Sequence, residues 1–185
     1  VWLYDPAARV AWEGLGETAF PPTLDEVRER WRIRSPDRPL HPESMRRLFG
    51  RAWAQGLAPL GIAAAARVSL AALRSAEAHI PEQHRPPVWS ELRSAAEAWL
   101  AGDRQQVGDF DSFQHQLALA SAEELRPAVD LAKALAVTLG SMTEIGAAEG
   151  AGTSLIRLAA IWECELGAPQ LQSALRAQLP PPSAS

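Results

Sequence analysis

Apolar residues recur at intervals of three and four along most of this chain, and that spacing limits its fold more than any other feature. It gives a helix one apolar face, whereas a half-buried strand needs strict alternation. Alanine and leucine, 35 and 23 of the 185 residues, strengthen the pattern because both are strong helix formers. Valine, isoleucine, tyrosine and phenylalanine, which strands prefer, are scarce. The sequence therefore predicts an all-α fold.

Turn and stop signals divide this pattern into about eight helices. Capping boxes at Thr23–Glu26 and Ser121–Glu124 mark two helix starts, and Pro42 marks a third. The predicted helices cover about residues 24–33, 42–55, 60–79, 88–101, ten residues opened by Asp109 and Asp111, 121–139, 153–166 and 169–179. Short loops between amphipathic helices favour a single-domain bundle.

The two ends of the chain differ from this helical domain, which we place at residues 21–179. Residues 1–20 have a turn former between short apolar runs and predict an irregular segment or a short β-hairpin. Residues 180–185 predict a disordered tail. Within the domain, residues 140–152 contain four glycines, so both a small-residue helix and a flexible loop stay open there.

Several classes of protein are excluded or disfavoured by what the sequence lacks. A single cysteine, Cys164, excludes an internal disulfide framework and a cysteine-rich zinc site. The longest uncharged apolar stretch, at about residues 52–66, is too short and too interrupted for a membrane span. The first residues lack the pattern of a signal peptide. We therefore expect a cytoplasmic protein without membrane contact.

The known sequence signatures of catalytic sites are absent from this chain. The sequence has no nucleophile elbow, Walker A loop, dinucleotide-binding glycine motif or H-E-x-x-H motif. We accordingly predict no enzymatic activity, no catalytic residue, no metal and no cofactor. One alternative is a metal-dependent enzyme built on residues 77–84, where imidazole and carboxylate ligands lie close together: Glu77, His79, Glu82 and His84.

Charge is unevenly distributed along the chain. Residues 28–51 contain eight arginines and three carboxylates, a net charge of +5, whereas the rest of the chain carries −9. Arginine with interleaved aromatic residues is typical of protein interfaces and also of nucleic-acid surfaces. The alternative is that carboxylates of the same fold neutralise these arginines. The predicted partner-binding residues, all taken to be exposed, are Arg28, Arg32, Arg46, Arg47, Arg51 and Trp89.

The stretch from Ala66 to Gly102 resembles alanine-rich helical immunity proteins that are encoded beside polymorphic bacterial toxins. The elements that carry the resemblance are Glu77, Arg85-Pro86, Glu91, Ala95, Ala96, Ala98, Trp99 and Gly102. The resemblance implies a bacterial, non-catalytic protein that neutralises a toxin by direct binding. A helical regulatory or defence-system accessory domain, which would contact nucleic acid through the arginines of residues 28–51, is the alternative.

Overall fold

The computed structural model describes residues 20–34, 36–37, 41–103, 110–120, 122–161 and 169–180. Residues 1–19 of the predicted N-terminal segment and residues 181–185 of the predicted tail lie outside this part. Its secondary structure is helical and includes no strand, which confirms the all-α prediction. The α-helices are α1 (Leu24–Arg34), α2 (Pro42–Leu57), α3 (Ile62–Glu77), α4 (Trp89–Leu100), α5 (Phe110–Leu119), α6 (Arg126–Gly140), α7 (Glu144–Ile161) and α8 (Pro169–Arg176).

Local side-chain chemistry explains where α1 and α2 begin. Thr23 Oγ1 accepts a hydrogen bond from the Glu26 backbone N–H at 3.2 Å, and Glu26 Oε2 accepts from the Thr23 N–H at 2.8 Å. This reciprocal pair is the first predicted capping box. At α2, His41 Nδ1 accepts from the Glu43 N–H at 3.3 Å, and Pro42 occupies a first-turn position where no donor is needed.

The second predicted helix start is wrong. A 3₁₀ turn covers Glu123–Leu125, and α6 begins only at Arg126, while Ser121 lies outside the described residues. Pro127 explains the later start, because proline lacks a backbone N–H and its fixed φ suits the first turn of a helix.

Residues 144–161 form one continuous helix, α7, which decides between the two alternatives for the glycine-rich span. The predicted helix start at residue 153 is wrong, since the Thr153 hydroxyl donates to the carbonyl of Glu149 one turn earlier at 2.9 Å. A threonine that bonds back in this way lies inside a helix.

Helix α7 lies at the centre of the fold and packs against α2, α3 and α6. Its inner face consists mostly of small residues beside Leu155 and Leu158, and at two crossings the backbones approach so closely that only glycine fits. A Cβ atom placed on Gly50 of α2 would lie 2.5 Å from the Gly152 carbonyl oxygen. One placed on Gly150 would lie 2.5 Å from Thr138 Oγ1 of α6. These contacts fix the spacing of α7 from both neighbours.

Three buried hydroxyl groups join α3, α6 and α7. Ser69 and Ser154 are fully buried, and their Oγ atoms lie 2.5 Å apart. Ser154 also donates to the Gly150 carbonyl at 3.2 Å, and Thr138 donates to the Ala134 carbonyl at 2.7 Å. If Ser69 donates to Ser154, all three hydroxyl hydrogens have acceptors, so burial leaves no donor unpaired.

Large aromatic residues fill the core beside these small ones. Trp53 and Phe49 of α2 are fully buried, and the Phe20 ring meets Trp53 edge-on with centroids 5.2 Å apart. Trp31 of α1 is also buried. The described residues include no helix with both the length and the apolar character needed to cross a bilayer.

We predict that Gly152→Ala destabilises the protein by about 1–3 kcal/mol, because the added methyl group overlaps the α2 backbone. This cost exceeds the gain in helix propensity, which is at most about 1 kcal/mol. Urea denaturation followed by far-UV circular dichroism measures the change. Gly140→Ala is the matched control, since its Cβ would meet Phe110 Cβ at an ordinary 3.5 Å and should leave stability unchanged or higher. Equal stability of Gly152→Ala and the wild type would contradict the close crossing.

Candidate functional site

The two arginines predicted on α1 are exposed and pair within their own helix. Arg28 Nη1 lies 3.2 Å from Asp25 Oδ1, and Arg32 donates to both carboxylate oxygens of Glu29, at 2.6 and 2.9 Å. The hydrogen bond from Arg32 lowers the pKa of Glu29, and the same bond raises the pKa of Arg32. Exposed pairs of this kind contribute little to stability.

The three arginines predicted on α2 are only partly exposed. Arg47 pairs with Glu43 one turn earlier, and Arg51 Nη1 lies 3.7 Å from Glu149 Oε1 on α7. Arg46 is also engaged in an interaction. Carboxylates of the same chain therefore form ion pairs with the two α1 arginines and with Arg47 and Arg51 of α2. The alternative of internal neutralisation predicts such pairs.

A groove of about 530 Å³ between α2 and α7 brings Arg47 and Arg51 together with Arg157. Gly50 and Gly152 lie at its base, where the two helices touch. The Cβ direction of each glycine points into the facing helix and not into open space. The groove therefore lies alongside the glycine crossing.

The two helices that form the walls of the groove have opposite chain directions. A Cβ on Gly152 would be 3.0 Å from Ala54 Cβ, whereas one on Gly50 would meet Ile156. Gly50 of α2 therefore contacts Ile156 of α7, and Ala54, one turn later on α2, contacts Gly152, one turn earlier on α7. The helices are antiparallel, so a ligand in the groove would meet α2 on one side and α7 on the other.

Arg157 is the groove residue that sequence reasoning missed. It is half-exposed, and its Nη1 lies 3.7 Å from Asp130 Oδ2 of α6. Its one sequence signal is that it is the sole basic residue of α7. This signal points to the groove only when α7 is known to pack against α2, which carries the other two arginines.

Trp89 is not an exposed partner-binding residue, and this prediction is wrong. Its side chain belongs to the core, with 2% of its surface exposed. The indole Nε1–H donates to Glu77 Oε1 at 2.9 Å, and Arg93 Nη1 donates to both oxygens of the same carboxylate, at 2.9 and 3.1 Å. Glu77 thus joins the end of α3 to α4, and the indole is buried with its donor satisfied.

Arg85 completes this corner between α3 and α4. Its guanidinium donates to the carbonyls of Glu77, at 2.7 Å, and of Ile80, at 3.0 Å. The last carbonyls of a helix need such donors, and a cation is favoured at that end. Glu77 and Arg85, two residues that carry the resemblance to immunity proteins, therefore hold the corner together.

The four potential metal ligands of residues 77–84 are not brought together around one point. The Glu77 carboxylate accepts hydrogen bonds from Trp89 and Arg93, while His79 and His84 line a separate cleft of about 560 Å³. In the described part of the chain, no three histidine, cysteine, aspartate or glutamate side chains are placed to hold a metal ion. This cleft also contains Arg157, so the two openings meet at that residue.

Comparison of the chain with known proteins gave no match among protein-family models, curated proteins or solved structures.

We predict that Glu77→Ala destabilises the protein by about 1–3 kcal/mol, because it leaves the buried Trp89 N–H without its acceptor. Glu77→Gln keeps one oxygen acceptor and should cost less. Guanidinium denaturation followed by tryptophan fluorescence tests both. Glu82→Ala is the control, since this exposed residue lies beyond the corner and should change stability little. A Glu77→Ala variant as stable as the control would show that the corner does not depend on this carboxylate.

Proposed function

We propose that this chain is a non-enzymatic binding protein of the immunity type, which neutralises a bacterial toxin by direct contact with an acidic surface of that toxin. The observation that carries the proposal is the arrangement of Arg47, Arg51 and Arg157 around one groove. Arginine is enriched among interface residues that contribute most to binding, because its planar guanidinium binds carboxylates in a bidentate way.

Two of the ion pairs made by groove arginines are long enough to favour exchange with a partner, whereas Arg47 bonds closely to Glu43. Both Arg51 with Glu149 and Arg157 with Asp130 have nearest oxygen–nitrogen distances of 3.7 Å, longer than a hydrogen bond. A carboxylate from a partner that approached to about 2.8 Å would form a stronger, charge-assisted bond. Binding would exclude water from the groove and strengthen each such bond further.

A protein partner fits the groove better than nucleic acid does. Glu43 and Glu149 stand among the three arginines, and they would repel a continuous row of phosphates. The net charge of −4 also opposes nonspecific attraction to nucleic acid. A protein surface, in contrast, can place individual carboxylates opposite arginines and leave the two glutamates facing polar groups.

Arg28 and Arg32 extend the proposed contact surface onto α1, which packs beside α2. Their exposed carboxylate pairs are of low energetic value and are open to solvent. A partner that spans α1 and α2 would therefore gain association rate from these arginines through electrostatic steering.

We predict that the double variant Arg47→Ala/Arg51→Ala binds a toxin encoded beside this chain's gene at least about tenfold more weakly than the wild type does. Isothermal titration calorimetry gives the affinity, and rescue of growth of toxin-expressing cells gives the biological readout. Arg67→Ala, an exposed arginine of α3 outside the groove, is the matched control and should bind normally.

Three outcomes would contradict the proposal. The first is that the double variant, with a melting temperature equal to that of the wild type, binds the toxin and rescues growth as well as Arg67→Ala does. The second is that a fluorescent DNA duplex binds with an affinity that falls steeply with salt, which would favour the nucleic-acid alternative. The third is that no gene beside this one encodes a protein that the chain binds.

A further inference from the structure

The groove between α2 and α7 has the shape of a binding site for a third helix. Two antiparallel helices in contact leave a shallow valley along their common length, and an amphipathic helix commonly fills such a valley. Here Gly50 and Gly152 bring the two backbones together at the base of the valley, and Ala54 and Ile156, which pack at this crossing, belong to its apolar lining.

Charge along the valley is ordered rather than uniform. On the α2 wall, Glu43, Arg47 and Arg51 follow one another at intervals of four residues and so lie on one face. On the α7 wall, Glu149 stands opposite Arg51, and Thr153 and Arg157 follow it in successive turns. Charges that flank an apolar seam in this manner select partner helices and their register in coiled coils.

We infer that the occupant of this groove is an acidic amphipathic helix of the partner protein, with two carboxylates one helical turn apart that pair with Arg47 and Arg51. This inference rests on the proposed function and adds the form of the partner's binding segment. The turn-to-turn spacing of the two arginines matches carboxylates at positions i and i+4. The apolar face of the same helix covers Ala54 and Ile156.

Three stapled alanine-rich peptides, each with two charged residues, test the spacing and the sign of the charge. One carries two glutamates at positions i and i+4, a second carries them at i and i+2, and a third has lysines at i and i+4. Fluorescence anisotropy measures their binding to the full chain. We expect the first peptide to bind at least about fivefold more tightly than the other two. Equal affinities, or no measurable binding of the first peptide up to millimolar concentration, would overturn the inference.

Two variants of the chain and one control variant test the place of binding. Arg47→Glu/Arg51→Glu should reverse the preference, so that the lysine peptide binds more tightly than the glutamate peptide. Thr153→Trp fills the groove from an exposed position and should abolish binding of both, whereas Ser173→Trp on an exposed position of α8 should not. Circular dichroism establishes that each variant is folded. Unchanged peptide affinity in folded Thr153→Trp would place the peptide elsewhere and overturn the inference.

The result also separates this inference from the proposed function. If toxin binding depends on Arg47 and Arg51 but the peptides show no preference for the i and i+4 spacing, the proposed function stands and the helical occupant is wrong. If toxin binding is insensitive to both arginines, the groove is not the toxin site, whatever the peptides do.

Discussion

The contact between Gly50 and Gly152 is the constraint on which the rest of the structure depends. It allows the backbones of α2 and α7 to touch, and α7 in turn packs against α3 and α6. A second close approach, between Gly150 and Thr138, fixes α6 from the other side. Since interiors pack densely and transmit strain, a change in the first contact would shift every helix that α7 touches. The groove lined by Arg47, Arg51 and Arg157 runs beside this crossing.

The buried hydroxyl groups help to fix the position of each helix along its neighbour. Alanine and glycine faces are nearly featureless, so small sliding motions between such helices cost little dispersion energy. The Ser69–Ser154 hydrogen bond lies on the shared boundary of α3 and α7, and Thr138 lies next to it on α6. A slide of one turn between α3 and α7 would leave the buried Ser69 hydroxyl without its acceptor, at a cost of about 1–3 kcal/mol. Close approach thus sets the distance between helices, and the Ser69–Ser154 hydrogen bond sets the register of α3 on α7.

Helix positions and core faces of α1 to α4 were predictable because their large apolar residues, such as Trp31 and Trp53, mark one face clearly. Helix α7 was harder to predict, because its glycines and alanines give a weak periodic signal and low helix propensity at each glycine. The groove required the pairing of α2 with α7, which no local pattern contains. Arg47 and Arg51 were therefore among the partner-binding residues predicted from sequence, whereas Arg157, which lines the same groove, was not. Trp89 was misplaced because its partly buried acceptor, Glu77, lies across a loop on the preceding helix.

The glycine crossing also shapes how this protein can change during evolution. Either glycine alone is held in place by the backbone of the other helix, so a first substitution at Gly50 or Gly152 meets the full steric penalty. Once the helices have moved apart to admit one side chain, the second glycine loses the contact that constrained it. The two positions are therefore epistatic, and the effect of changing both is smaller than the sum of the separate effects. Mutational paths that widen this interface must pass through an intermediate of low stability.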